Sequence, residues 1–261
     1  MLSHSGKTEE QFGKTAGAYL SSAVHSQGPD LIAVAEKLGD ATVATVLDLG
    51  CGAGHLSFTI APHVKSVVAY DLSSTMLQVV IDEAARRNLR NITTKQGRAE
   101  ELPFADASFD WVCTRYSAHH WMEVSRAIRE IRRVLKPDGT LIVIDTCAPA
   151  NPLLDTHMQA IDLFRDGSHV RDYTFVEWSS MLGAQGFQIE SHNSWKILLE
   201  FKAWVERMQT PPQHVDALRS LLNKVPQEVR VYFQISEDCS FRADSMLIEA
   251  KRAPLEEGSE D

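Results

Sequence analysis

Short apolar runs alternate with amphipathic stretches along the chain, most regularly in its first 150 residues. Short runs rich in valine, isoleucine and leucine are typical of buried strands, whereas apolar residues three and four apart indicate helices. The predicted strands are 43–49, 66–70, 92–96, 109–115, 140–146, one that begins at 187–191, and 245–251. The predicted helices are 8–25, 28–39, one beginning at 56–61, one from Ser73 or Ser74 to about residue 88, 124–135, 152–165, 177–184 and 200–224.

This alternation predicts an α/β fold with a seven-stranded, mostly parallel sheet and helices on both faces. The last two strands enclose a helical insertion, which predicts an antiparallel hairpin at the sheet edge and a helical lid over the pocket. We therefore divide the chain into a helical cap, 1–40, a ligand-binding core, 41–150, a lid region with the final strands of the same sheet, 151–252, and a disordered acidic tail, 253–261.

The segment TVLDLGCGAGH, residues 45–55, places three glycines on alternate positions directly after a predicted strand. Asp48 precedes the first of them, Gly50, and Asp71 ends the next strand. Strand, glycine loop, helix, strand and terminal acid form the plan of a nucleoside-binding unit. A pyrophosphate site favours G-x-G-x-x-G, whereas this loop has G-x-G-x-G behind an acid. The acid would repel a pyrophosphate and suits a ligand that carries an ammonium and a sulfonium.

The net charge of −9 argues against nucleic acid as a partner, because phosphate contacts need clustered lysine and arginine. No apolar run approaches the ~20 residues of a membrane span, and the N-terminus lacks a signal-peptide core, so we expect a cytoplasmic protein without membrane insertion.

The four cysteines show no zinc spacing, and we predict no metal. Cys51 is expected to be a small loop residue and not a nucleophile.

Five segments, in order, resemble the signatures of the class I S-adenosylmethionine-dependent methyltransferases, with the UbiE-like small-molecule branch the most similar group. They are VLDLGCGAGHLS, VVAYDLSSTML, QGRAEELPF, SFDWV and REIRRVLKPDGTLIVID. The segments TRYSAHHW and DGSHVRDY are similar to uncharacterised bacterial members, so the resemblance covers nearly the whole chain. It implies a Rossmann-like fold and S-adenosylmethionine as the methyl donor.

The resemblance also implies a set of cofactor-binding residues. Asp48 should lie near the amino group of the cofactor, Asp71 should bind its ribose, and Arg115 should line the methionine pocket. The complete predicted set is Tyr19, Asp48, Gly50, Cys51, Gly52, Gly54, Asp71, Leu72, Met76, Arg98, Ala99, Glu100 and Arg115. Many relatives have an acid where this chain has Arg98, and arginine cannot accept a hydrogen bond from an adenine amino group. A backbone carbonyl or Glu100 would then take that role.

The catalytic candidates are His120, His119 and His169. Neighbouring residues at a helix start point in different directions, so we expect at most one of His119 and His120 to face the reacting methyl group. Arg171 is either a clamp for a substrate carboxylate or a loop-anchoring ion-pair partner. Three aromatic residues either wall an apolar substrate pocket or belong to the core: Trp178, Phe201 and Trp204.

Methyl transfer to a small-molecule acceptor at carbon, oxygen or nitrogen is the function that these features favour. The chain has no DPPY-type or NPPY-type motif for methylating nucleobase amines. The alternatives are a non-catalytic regulatory protein that binds S-adenosylmethionine and, with less support from the glycine spacing, an NAD-dependent oxidoreductase. The expected assembly is a monomer or a homodimer.

Overall fold

A seven-stranded sheet in the order β3-β2-β1-β4-β5-β7-β6 forms the centre of the computed structural model, which describes residues 3–20 and 28–253. The first five strands are parallel, and β7 runs antiparallel to both β5 and β6. The strands are β1 (Thr45–Leu49), β2 (Ser66–Asp71), β3 (Ile92–Gln96), β4 (Phe109–Arg115), β5 (Leu135–Thr146), β6 (Phe187–Leu199) and β7 (Phe241–Arg252). The predicted fold class, with its antiparallel pair at one edge, is confirmed.

Helices cover both faces of the sheet. They are α1 (His4–Leu20), α2 (Pro29–Leu38), α3 (His55–Ile60), α4 (Ser74–Arg86), α5 (Val124–Val134), α6 (Pro152–Arg165), α7 (Phe175–Ala184), α8 (Phe201–Met208), α9 (Pro212–Asn223) and α10 (Gln227–Tyr232). Single 3-10 turns lie at Ala61–His63 and Ala118–His120. None of the helices within the described ranges combines the length and the apolar character that a membrane span requires.

The two faces of the sheet each carry a hydrophobic core. On one face α5 and α7 pack side chains such as Ile128 and Trp178 against the central strands. On the other face α2 and α3 contribute Val34 and Ile60. The central strand β1 is almost wholly buried because both of its faces are covered, which explains its nearly continuous apolar sequence.

Several predicted boundaries differ from the structure, and the differences have physical reasons. The first strand begins at Thr45 and not at residue 43, because Val43 is 84% exposed. The fifth strand was predicted to begin at residue 140, but β5 also includes residues 135–139. The turn-forming residues Pro137-Asp138-Gly139 lie at a register shift between β4 and β5, opposite Phe109 and Trp111. The first helix spans His4–Leu20, whereas 8–25 was predicted. Residues 21–25 of that prediction lie outside the described residues.

The lid side of the molecule differs most from the prediction. Strands β6 and β7 are far longer than predicted and pair along almost their whole lengths. Half of β6 is exposed as the edge strand, so its polar residues obscure the alternation on which a prediction depends. The short helix α10 was not predicted. The predicted break at Pro211-Pro212 is confirmed, since α8 ends before it and α9 begins there.

Helices α6 and α8 to α10 enclose a hydrophobic core of their own with the ends of β6 and β7. Its largest buried members are Phe201, Trp204, Phe233 and Phe241. We keep the division into cap, core and lid as a proposal, because the lid shares the sheet with the core. The predicted acidic tail lies outside the described residues from residue 254 onward.

Candidate functional site

A cleft of about 1050 Å³, open at its mouth, lies beyond the carboxyl ends of β1, β2 and β4. Parallel strands of an α/β sheet bring their carboxyl ends to one edge, and ligands bind there. All of the predicted cofactor residues line this cleft except Gly54. The lining is completed by His4, Ser5, Thr8, Phe12, Leu49, Ala53, His55, Leu56, Tyr70, Gly97, Tyr116, Ser117, His120, Trp121 and Met122.

The glycine loop forms the floor of the cleft with backbone angles that residues bearing side chains rarely adopt. Gly50, Gly52 and Gly54 all have positive φ angles, of 71°, 50° and 86°. A Cβ on Gly50 would lie 1.9 Å from the hydroxyl oxygen of Ser117. Gly54 does not face the cleft. It precedes α3 in a left-handed conformation, and its missing side chain leaves room for Phe58. Gly54 is thus absent from the cleft lining, and a cofactor contact at Gly54 stays a prediction.

Asp48 is fully buried at the end of β1 and has one unsatisfied carboxylate oxygen. Its Oδ2 accepts a hydrogen bond of 2.6 Å from the Ser57 hydroxyl, while its Oδ1 has no hydrogen-bond partner among the described residues. Burial raises the pKa of Asp48 to about 7, because little around it stabilises the charged form. A ligand ammonium group would supply both the missing hydrogen bond and the missing charge.

Asp71 ends β2 and is held rigidly. The backbone amides of Gly52 and Ser73 each donate a 2.8 Å hydrogen bond, one to each carboxylate oxygen. An ionised carboxylate has about four lone-pair positions, so both oxygens can still accept from two ligand hydroxyls. Burial raises the pKa of Asp71 above its ordinary value, and these amides lower it again in part.

The predicted adenine-side residues form the wall beyond Asp71. Met76 is buried in the first turn of α4, which Ser73 caps, and Ala99 is buried across from it. Glu100 accepts hydrogen bonds from the backbone amides of Met122 and Glu123, and its other oxygen lies 3.4 Å from Arg98 Nε. Both oxygens of Glu100 are therefore already engaged, which favours a backbone carbonyl as the acceptor for an adenine amino group.

Cys51 lies in the floor as predicted, and burial raises the pKa of its thiol well above the ordinary value. A thiol in that state is protonated and is a poor nucleophile.

Helix α1 closes the cleft from the opposite side and is tied to the core at two points. His55 Nε2 lies 3.0 Å from the carbonyl oxygen of Tyr19. His4 Nε2 lies 3.0 Å from the carbonyl oxygen of Ser168. Arg115, at the end of β4, forms a buried ion pair with Asp30 of α2, which fixes its guanidinium at the cleft. Asp30 and His55 were not predicted, because their roles depend on partners far away in sequence.

A second cavity of about 750 Å³ adjoins the cleft. Four residues line both spaces: Phe12, Tyr19, Tyr116 and His120. The second cavity is otherwise lined by His119, Thr146, Asp162, Arg165, Asp166, His169, Asp172, Ile197, Leu199, Trp204, Arg207 and Ala243. The three predicted catalytic histidines therefore come together at this cavity, and only His120 also faces the cleft.

His119 forms a close pair with Asp145 at the end of β5. Its Nδ1 lies 2.6 Å from Asp145 Oδ1, and its backbone amide donates to Asp145 Oδ2. Burial opposes a charged ring, but Asp145 outweighs it and raises the pKa of His119 to about 9. His119 is therefore protonated at neutral pH and acts as a fixed positive charge beside the cavity.

His120 has the opposite electrostatic character. Its Nδ1 lies 3.0 Å from the carbonyl oxygen of Ser168, which can only accept, so Nδ1 carries the proton and Nε2 has a free lone pair. Burial and the positive charge of His119 lower the pKa of His120 to about 4. Asp166 Oδ2 lies 3.9 Å from His120 Nε2 and faces the same space. A neutral imidazole therefore presents its basic nitrogen where the two cavities meet.

His169 also lines the second cavity. Its Nε2 is 3.0 Å from Gln159 Oε1 and 3.7 Å from Asp172 Oδ2, and burial lowers its pKa to about 4. Burial and then the neighbouring Asp162 raise the pKa of Asp172 well above its ordinary value. One atom each of His119, Asp145 and Asp172 lies within 4.8 Å of the others, a spacing compatible with a metal ion. The sequence-based expectation of no metal stays a prediction.

The remaining candidates lie elsewhere. Arg171 lines neither cavity and forms ion pairs with Asp155 and Glu177 at 3.2 and 3.0 Å, which fits the loop-anchoring alternative. Trp178 is buried in the core against the sheet. Phe201 and Trp204 belong to the lid core, and only Trp204 reaches the second cavity.

Tyr116 is the most informative lining residue that the sequence did not single out. Its φ angle of 49° is unusual for a bulky residue and turns the chain sharply after β4. Its hydroxyl lies 2.9 Å from Ser245 Oγ, so the aromatic ring is fixed between the cleft and the second cavity. Phe12 and Tyr19, seven positions apart on α1, line the opposite wall of both spaces.

The cleft fits the cofactor that the sequence resemblance implies. The unsatisfied Oδ1 of Asp48 suits the ammonium of the methionine moiety, and the anchored carboxylate of Asp71 suits the two ribose hydroxyls. Two acids, 48 and 71, flank the glycine loop, a charge pattern that disfavours a pyrophosphate there.

Comparisons with known proteins agree with this geometry. Residues 47–143 match a family described as "Methyltransferase domain". The chain is 45% identical over 204 residues to the uncharacterized protein YafE of Escherichia coli, which covers 78% of this chain and 99% of that protein. It is 33% identical over 246 residues to the uncharacterized methyltransferase YcgJ of Bacillus subtilis, covering 92% and 97% of the two chains.

A demethylmenaquinone methyltransferase of Lactococcus lactis is 33% identical over 132 residues, about half of each chain. The crystal structure of the YcgJ protein matches with a TM-score of 0.81 and 32% identity, covering 86% of this chain and 98% of that chain. Together with the cleft, these similarities establish both the family and its methyl donor. The chain belongs to the class I S-adenosylmethionine-dependent methyltransferases, and S-adenosylmethionine is its cofactor.

Proposed function

We propose that this chain methylates a small molecule that binds in the second cavity. The observation that carries the proposal is the junction between the two spaces, where Tyr116 and His120 line both of them. An acceptor in the second cavity would meet a donor in the cleft at this junction. The second cavity is a confined space among α1, α6, β6 and α8 and not an extended surface groove, which suits a small molecule better than a polymer.

In this proposal the cleft residues bind and orient the methyl donor. Asp48 binds the ammonium group, Asp71 accepts from the ribose hydroxyls, and Leu72 and Met76 pack beside the adenine. Bound S-adenosylmethionine supplies a methyl group on a sulfonium, which is already activated toward a nucleophile. The contribution of the protein is then mainly positioning and the exclusion of water, which can account for several kcal/mol of the barrier.

His120 is the proposed general base. Its neutral ring holds Nε2 unprotonated at the junction, so Nε2 can take a proton from the acceptor as the acceptor attacks. Asp166, 3.9 Å away, stabilises the imidazolium that forms. Protonated His119 lies beside the same space and stabilises negative charge that develops on the acceptor. The acceptor atom, whether carbon, oxygen or nitrogen, is left open by this arrangement.

A non-catalytic protein that only binds S-adenosylmethionine is the alternative that must be separated from this proposal. It accounts for the cleft, but it gives no reason for a neutral histidine at the entrance to a second polar cavity. An NAD-dependent oxidoreductase is opposed by Asp48 and by the glycine spacing.

The test combines calorimetry with a product screen. We expect S-adenosylhomocysteine to bind and NAD not to bind, and we expect S-adenosylhomocysteine to form from S-adenosylmethionine with one class in a panel of small-molecule acceptors. Mass spectrometry of the acceptor should show a gain of one methyl group. Tight cofactor binding without turnover by any acceptor would support the regulatory alternative, and binding of NAD alone would overturn the assignment of the cleft.

A further inference from the structure

The second cavity has two chemically different ends. The histidine end is formed by the histidines and the aspartates of the 162–172 segment. The arginine end is formed by Arg165 and Arg207, with Trp204 and apolar side chains of β6 around them. Arg207 also lies against Tyr19, which lines the cleft as well. The histidine end accounts for proton transfer. The arginine end has no role in the function proposed above, although two guanidinium groups on the wall of one small cavity are costly to bring together.

Arg165 is oriented by the lid. Its Nε donates a 3.1 Å hydrogen bond to the carbonyl oxygen of Trp204, and its guanidinium lies 5.0 Å from the centre of the Trp204 ring. A guanidinium has five N–H donors. These contacts use one of them and one face of the group, so four donors are not used by the contacts with Trp204. No carboxylate of the described chain lies within ion-pair distance of Arg165, although its positive charge helps to lower the pKa of neighbouring Asp166.

Arg207 approaches the same region from α8. Its guanidinium lies 5.8 Å from the centre of the Tyr19 ring and is hydrogen-bonded to Tyr19. Burial and then the repulsion of Arg165 lower the pKa of Arg207. Both guanidinium groups line the same cavity, and an anion bound between them would offset their mutual repulsion.

We propose that the arginine end of the second cavity binds a carboxylate group of the methyl acceptor. The inference rests on the proposed function, since it assigns a substrate class to the same site. Guanidinium groups match the planar geometry of a carboxylate and can bind it through paired hydrogen bonds. A single negative charge suits the site better than a phosphate dianion, because Asp162 and Asp166 also line the cavity. Trp204, Ile197 and Leu199 would pack against an apolar body that joins the carboxylate to the nucleophile near His120.

The test uses matched pairs of probes on protein saturated with S-adenosylhomocysteine. Calorimetry would compare phenylacetate, 3-phenylpropionate and indole-3-acetate with their neutral amides. We expect at least one carboxylate to bind about tenfold more tightly than its amide, since a charge-assisted hydrogen bond exceeds a neutral one by this order. The same preference should appear in the acceptor that supports turnover.

Arg165→Gln should abolish that preference, Arg165→Lys should keep part of it, and the affinity for S-adenosylhomocysteine should stay within about twofold in both. Arg129→Gln, on the exposed face of α5, is the matched control and should change nothing. If the Arg165→Gln variant melts at a much lower temperature, the wild type is measured at high salt instead. Its preference for carboxylates over their amides should then be lost, because salt screens the attraction to the guanidinium groups.

Equal binding of amides and carboxylates, or no binding of any carboxylate at millimolar concentration, would overturn the carboxylate site. An unchanged preference in Arg165→Gln would do so as well. These failures leave S-adenosylhomocysteine binding intact, whereas failure of the proposed function would appear first as a loss of that binding or of all methyl transfer.

Discussion

The cleft and the second cavity are neighbours in space, but they are built in different ways. Most of the cleft comes from residues 48–122, where strand ends and a glycine loop present backbone and two carboxylates. The second cavity collects side chains from positions 12 to 243, carried by α1, α6, β6 and α8. The cleft depends on the parallel sheet, whereas the second cavity depends on a lid with its own hydrophobic core.

This difference separates what the fold determines from what the individual chain determines. The carboxyl ends of β1, β2 and β4 fix the donor site through backbone geometry, which many sequences can adopt. In our proposal the lid residues form the acceptor site, and their charges can change without disturbing the sheet. His120 and Tyr116 belong to both spaces, so substitutions there test whether the two regions work together.

The largest expected effect belongs to the cleft. Asp71→Ala should weaken binding of S-adenosylhomocysteine by more than about 100-fold, because two hydrogen bonds from the ribose to a charged acceptor are lost. Isothermal titration calorimetry measures this change. Asp82→Ala, an exposed acid on α4, is the matched control. Unchanged affinity in Asp71→Ala would contradict the placement of the ribose.

The sequence predicted the cleft well, because its residues are consecutive along the motifs. Asp48 and Asp71 end neighbouring parallel strands, and the alternation of strands and helices alone brings such residues to one edge. Gly54 shows the limit of that reasoning. Its spacing matches the loop, but it lies outside the cleft lining, precedes α3 and leaves room for Phe58.

The second cavity was predictable only in part. The sequence identified His119 and His120 but could not tell which of them is charged. Their charge states depend on partners that are distant in sequence, Asp145 for His119 and the Ser168 carbonyl for His120. Arg165 and Arg207 are 42 positions apart on separate helices and carry no motif. Their approach follows from the packing of the lid, which no local pattern encodes.

The junction should show the next largest effect. His120→Asn keeps a donor to the Ser168 carbonyl but removes the basic Nε2, so we expect turnover to fall by about 100-fold while affinity for S-adenosylhomocysteine changes little. Steady-state kinetics with an acceptor found by the product screen, together with calorimetry, measures both quantities. His157→Asn on α6, outside both cavities, is the control.

The pH profile of the wild type distinguishes the two neighbouring histidines. A base with a pKa of about 4 is unprotonated above that value, so turnover should be flat near neutrality and should fall below about pH 5. If His119 were the base, its pKa of about 9 would make turnover rise through pH 9. A rise of that kind would transfer the role from His120 to His119.

The smallest effect tests the charge of Asp48 inside the cleft. Its pKa of about 7 means that the carboxyl is mostly protonated at pH 6 and mostly ionised at pH 7.5. The ammonium of S-adenosylhomocysteine favours the ionised form, so affinity should rise about eightfold over this interval. Asp48→Asn should bind more weakly and show no such rise, and calorimetry at several pH values measures both.

The same carboxyl makes an opposite prediction for the stability of the ligand-free protein. Because folding raises the pKa of Asp48 from 3.8 to about 7, its contribution to stability is fully present below pH 3.8 and is lost as the pH rises through 7. A shift of this size corresponds to about 4 kcal/mol at pH 8. Asp48→Asn lacks that loss and should be more stable than the wild type at pH 8 by up to this amount, measured by urea denaturation. If Asp48→Asn gains stability and loses ligand affinity, the charge of Asp48 serves ligand binding at the expense of stability. If Asp48→Asn loses both, the contact with Ser57 matters more for stability than the buried charge.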